Sequence, residues 1–119
     1  MRSKLGDLAR LQHIYDAINE IENYLNSTNF EDFSANSMML FACIKQLEII
    51  GEASNHLSDD IKAEYNSVEW RQIVGLRNIF VHEYFGIDNH IVWDVITNDL
   101  PHFKHSIELI LEELNNKQT

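Results

Sequence analysis

At 119 residues, with nine basic against nineteen acidic side chains and a formal charge of −10, the chain fits one domain, residues 1–119, and its field opposes non-specific binding to nucleic acid. Hydrophobic residues make up 45%, with only 4 glycines and 1 proline, a balance that favours helices over turn-rich β architecture and excludes extensive disorder. Cys43 is the only cysteine, which excludes an intrachain disulfide and a thiolate-cluster metal site within one chain; a small buried hydrophobe is its default role. No apolar run approaches the ~18 residues that cross a bilayer, and MRSKLGDLAR has no hydrophobic stretch of signal-peptide type. A cytoplasmic protein with no membrane partner is expected.

The first predicted helix runs from Lys4 to Asn26, with Leu8, Leu11, Tyr15, Ile18 and Leu25 on one face. Turn formers in NSTNFEDFSANS break the pattern, and Ser34 or Asn36 caps a second helix reaching Leu57. Its opening MMLFACI is too apolar for a single stripe. Leu40, Cys43, Ile44, Leu47, Ile50 and Ser54 form one side, and Met38, Ala42, Ile49 and Ala53 lie roughly opposite, a face expected to meet a second subunit. Met38 and Met39 read as packing rather than as ligands. Gly51 costs about 1 kcal/mol against alanine inside a helix and suits a close helix crossing.

Ser58, followed by Asp59 and Asp60, caps a short helix to Tyr65, with both carboxylates near the positive end of its dipole. Ser67, with Glu69 in the first turn, is expected to cap the next helix, and Gly86 to end it after Phe85. Asp88 caps a last helical stretch to Leu114, interrupted near Pro101, whose ring suits a first turn. Five or six helices in an antiparallel, dimeric, all-α bundle are the expected architecture.

The stretch RNIFVHEYF, residues 77–85, carries the chemistry. With residues 70–85 read as one helix, Trp70, Ile73, Val74, Val81 and Tyr84 form an apolar arc, and Arg77 falls at its middle. A guanidinium is not deprotonated in proteins, and burying it alone is costly. It therefore needs a carboxylate, such as Glu48 or Glu52, or a shared water-filled cleft. Asn78 and His82, four apart, flank the same arc. His82 lies about 140° from Arg77 on an ideal helix, so a joint site requires helix distortion near His82 or convergence across a dimer axis. The plainer alternatives are a structural ion pair for Arg77, a helix-end carbonyl partner for His82 and a core position for Tyr84. His102 and His105, three apart with Asp99 nearby, have some metal-ligand character, but no third strong ligand is fixed by spacing, and no metal or cofactor is expected.

GLRNIFVHEYFGID (75–88), preceded by IIGEA (49–53) and followed by IVWDVITNDLP (91–101), resembles the HepT-like branch of the HEPN superfamily, from Met38 onward. The arginine, polar residue, three intervening residues, histidine and tyrosine two further on match the family's R-x4-H-x-Y signature. The flanks EWRQIVGLRN and FGID make the match more specific. The resemblance implies a helical homodimer with two motifs at a shared cleft, acting as the toxin of a prokaryotic toxin-antitoxin pair and as a metal-independent endoribonuclease. It implies as partner an MntA-like minimal nucleotidyltransferase antitoxin that transfers AMP to the motif tyrosine. By motif position Arg77, Asn78 and His82 are the catalytic group and Tyr84 is the modified residue. The alternative reading is a non-catalytic nucleotide-binding or partner-docking module. Two departures stand out: Glu83 replaces the small residue common between histidine and tyrosine, and Val68-Glu69 replaces a proline expected before Trp70.

Overall fold

The computed structural model describes residues 4–78 and 88–117. In chain order these form α1 (Lys4–Tyr24), α2 (Phe30–Ala35), α3 (Ser37–Asn55), α4 (Asp59–Glu64), α5 (Trp70–Val74), a 3₁₀ turn (Gly75–Asn78), α6 (Asn89–Asp94), a π-type turn (Val95–Asp99) and α7 (Leu100–Lys117). No strand occurs among the described residues, and the expected all-α bundle is the observed class. No helix among them is long and apolar enough to cross a membrane.

The core follows from three apolar stripes. On α1, Leu11, Ile14, Ile18 and Ile21 are fully buried at alternating steps of three and four. At ~1.5–3 kcal/mol for each buried aliphatic side chain, this outweighs the intrinsic helix propensities, which differ by no more than ~0.7 kcal/mol per ordinary residue. On α3 the buried side is Leu40, Cys43, Ile44, Leu47, Ile50, Gly51 and Ser54, the face expected from the sequence. On α7 it is Leu100, Phe103, Ile107 and Ile110. Helix α1 packs against both α3 and α7, and α3 also carries α5 and the 3₁₀ turn. Polar ties reinforce the packing from outside: Tyr15 Oη donates to Glu108 (3.1 Å), and Lys104 Nζ donates to Glu22 (2.7 Å).

Helix α2 was not expected. Its signal was present: the Asn29 side chain accepts from the Asp32 N–H, Glu31 and Asp32 occupy the first turn, and Phe33 is buried. Phe33 packs on Trp93 at 5.1 Å between ring centroids, so α2 is held by α6 more than by its own length. Asn36, not Ser34, caps α3, accepting from the Met39 N–H at 3.0 Å.

Ser58 caps α4 as expected, its Oγ accepting from the Ile61 N–H. The structure adds a partner that the sequence did not reveal. Asp7, only 5% exposed, accepts from the Ser58 N–H (2.9 Å) and the Ser58 hydroxyl (2.6 Å). One carboxylate thus ties α1 to the positive end of α4. Asp7→Ala leaves the half-buried Ser58 N–H and hydroxyl without this acceptor and is expected to cost about 1–3 kcal/mol, read as a lower urea midpoint at unchanged slope.

The cap predicted at Ser67 is not formed: Ser67 is exposed, and Glu69 is the N-cap without a side-chain cap bond. The start of α5 is fixed instead from its buried side, where the Trp70 indole donates to the Tyr65 carbonyl at 3.0 Å and its ring meets Phe103 edge-on. The expected interruption near Pro101 is the π-type turn. An α-helical Pro101 would press its ring on the Thr97 carbonyl. The widened turn relieves this, with the Leu100 N–H reaching back to the Val95 carbonyl.

Candidate active site

The arginine of the motif sits on a short turn rather than within a long helix. Helix α5 ends at Val74 and the chain tightens into the 3₁₀ turn Gly75–Asn78. Such a turn advances ~120° per residue instead of ~100°. By Arg77 the accumulated difference is about 60°, which corrects the placement of Arg77 at the centre of an apolar arc. Leu76 takes the buried position and Arg77 is half-buried, its side chain 35% exposed. Asn78 beside it is exposed.

The turn is pressed directly onto α3. A Cβ at Gly51 would stand 2.4 Å from the Arg77 amide nitrogen and 3.0 Å from both Arg77 Cβ and the Val74 carbonyl oxygen. The close crossing expected at Gly51 is therefore observed, and its partner is the backbone of Arg77. The backbone of Arg77 is consequently fixed against α3 by main-chain contact, and the guanidinium reaches out from that fixed base on its side-chain stem.

The Glu52 carboxylate, next along α3, faces this guanidinium. Arg77 Nη1 lies 3.6 Å from Glu52 Oε2, while Glu52 Oε1 lies 2.8 Å from His56 Nε2. Glu52 is 55% exposed, so the pair is a solvated one rather than the buried ion pair weighed from the sequence. Exposed pairs of this kind contribute ~0–1 kcal/mol, too little to be the reason for an arginine at this position. The Glu52–His56 spacing of four residues on one helix was the sequence signal for this cluster.

His82 and Tyr84, together with Glu83 and Gly86, lie outside the described residues. Of the expected group, the structure brings Arg77 and Asn78 together on one turn. Asp99, His102 and His105 border a separate cleft of about 340 Å³ that also takes in Glu69, Gln72 and Ile73. Among the described residues no three His, Cys, Asp or Glu side chains converge as a metal site. Cys43 is fully buried, and burial pushes its thiol up to about 11, so it is an inert core residue and not a thiolate nucleophile.

The described residues thus form a small all-α bundle that presents a guanidinium and an amide from a turn braced on a helix glycine. The chain belongs to the HepT-like family: the family model described as "Ribonuclease HepT-like" matches residues 14–110. It is 36% identical over 108 residues to "Putative RNase MJ1380" of Methanocaldococcus jannaschii, covering 91% of this chain and 99% of that protein. It is 37% identical over 98 residues to "Probable ribonuclease HepT" of Thermococcus cleftensis, covering 82% of this chain and 89% of that one. A third relative, "Gamma-glutamylcyclotransferase and putative RNase MJ0434" of M. jannaschii, is 34% identical over 108 residues, which span 91% of this chain and 49% of that protein. No solved structure matches the chain.

Proposed function

We propose that this protein is a metal-independent endoribonuclease, the toxin of a toxin-antitoxin pair, acting as a homodimer and silenced by adenylylation of Tyr84. The observation that carries the reading is the way Arg77 is held: a half-exposed guanidinium on a turn locked to Gly51, in a family whose relatives bear RNase names.

RNA cleavage without metal needs a base for the ribose 2′-hydroxyl, an acid for the leaving 5′-oxygen, and positive charge at the phosphorus. The 2′-oxygen attacks phosphorus, the P–O5′ bond breaks, and the products are a 2′,3′-cyclic phosphate and a free 5′-hydroxyl. His82 and its counterpart on a second protomer divide the two proton transfers. Arg77 grips two phosphate oxygens and stabilises the charge that develops on them. Asn78 orients the histidine or a phosphate oxygen. A second protomer is further supported by the exposed apolar residues at the start of α3, Met38 (81% exposed) and Phe41, which a dimer would cover.

In the silenced form the Tyr84 hydroxyl oxygen is bonded to the α-phosphorus of AMP, transferred from ATP by an MntA-like nucleotidyltransferase with release of pyrophosphate. The added anion would compete with RNA for Arg77. The test is direct: the purified protein is incubated with total RNA in EDTA, and separately with a cognate nucleotidyltransferase and ATP. Cleavage in EDTA, and an AMP-sized mass increase mapped to Tyr84 that abolishes it, are expected. Intact RNA under dimer-forming conditions would favour the nucleotide-binding or docking module, to which the charge of −10 is better suited.

A further inference from the structure

Glu52 and His56 lie outside the motif, yet among the described residues they form the charged surroundings of its arginine. Three features separate their cluster from an ordinary surface ion pair. The backbone of Arg77 is in contact with Gly51, the residue before Glu52, so both charges are presented from abutting main chains. The contact is loose: at 3.6 Å it exceeds the ~2.7–2.9 Å of a charge-assisted hydrogen bond. The second carboxylate oxygen is engaged 2.8 Å from His56 Nε2, which turns the group partly away from Arg77. A guanidinium has five N–H donors in a planar fork, and among the described residues one loose carboxylate oxygen leaves most of that capacity for another anion.

We propose that Glu52, steered by His56, is the counter-ion that an incoming phosphodiester displaces from Arg77, and so the residue that sets which anions the site accepts. The proposal rests on the reading of Arg77 as the phosphate-binding group. A phosphodiester offers two non-bridging oxygens to the fork and replaces one loose contact by a bidentate one. Displaced but still adjacent, the Glu52 carboxylate repels a bound anion in proportion to its charge, so a doubly charged one is penalised more than a singly charged one. The site thereby discriminates internal phosphodiesters, which carry one negative charge, from terminal monoesters and free phosphate, which carry up to two. Without His56 the carboxylate would close fully on Arg77 and compete more strongly.

The test uses the full chain, a 2′-O-methyl RNA oligonucleotide that blocks the attacking hydroxyl, and inorganic phosphate as a second probe. Glu52→Gln is expected to bind the oligonucleotide about fivefold more tightly and inorganic phosphate more tightly still, with the melting temperature little changed. His56→Ala is expected to weaken oligonucleotide binding in the wild-type background and to have a much smaller effect in Glu52→Gln, where the carboxylate it steers is gone. Unchanged or weaker binding of both probes by Glu52→Gln would overturn the proposal and make Glu52 a brace for Arg77. Tighter phosphate binding with no oligonucleotide binding by either protein would leave the counter-ion role standing and overturn the RNA reading instead.

Discussion

Arg77→Ala is expected to lower RNA cleavage by about 10²- to 10³-fold, the range lost when one pre-positioned donor to a developing oxyanion is removed, while leaving folding nearly untouched. The two halves of this expectation come from different parts of the structure. The side chain is 35% exposed and its one described ion pair is long and solvated, so its removal costs at most ~1 kcal/mol of stability. Arg77→Lys keeps the charge but loses the planar fork and should recover only part of the activity. His82→Ala, removing a proton carrier, is expected to lose about 10²- to 10⁴-fold. Gel-based cleavage in EDTA, run beside thermal melts, separates loss of chemistry from loss of fold. Wild-type turnover by either the Arg77 or the His82 variant would end the catalytic assignment.

Gly51→Ala should damage both stability and function, although helix propensity alone predicts the reverse. Within an isolated α3 the change would be worth about 1 kcal/mol in favour of alanine. In the folded protein the new methyl would stand 2.4 Å from the Arg77 amide nitrogen and 3.0 Å from the Val74 carbonyl oxygen. Both are backbone atoms, so no rotamer change relieves the overlap. Overpacking of a fixed site costs about 1–3 kcal/mol, and the 3₁₀ turn must lift away from α3, carrying Arg77 with it. We expect a lower urea midpoint for the whole chain, higher helicity in a peptide spanning residues 37–55, and at least tenfold weaker cleavage, since a displacement near 1 Å at a reacting group costs about that or more. A variant as stable and as active as the wild type would show that the crossing does not set the position of Arg77.

The sequence by itself determined the helical class, the buried side of α3, part of that of α1 (Leu11 and Ile18, without Ile14 and Ile21), and several helix starts. Stripes of Leu and Ile at helical spacing have one low-energy solution, burial against each other, and Asn36, Ser58 and Asp88 announce their caps because few residue types accept from orphan N–H groups. The motif at Arg77, Asn78, His82 and Tyr84 was legible as a pattern of residue types, of which the described structure contains Arg77 and Asn78.

Tertiary structure decided where the motif's arginine points. A wheel assumes a constant turn angle, and the chain abandons that angle at Gly75, where Leu76 is drawn into the core and Arg77 is rotated outward. Tertiary structure also decided that Ser67 caps nothing, because the Trp70 indole secures α5 from its buried side. It joined Asp7 to Ser58 across a separation of 51 residues. Of the two carboxylates the sequence offered to Arg77 it selected Glu52 over Glu48, and it set His56 on the far oxygen of that carboxylate, since contacts between side chains remote in sequence depend on how closely two backbones can approach. At Gly51 that approach is permitted by the absence of a single carbon atom.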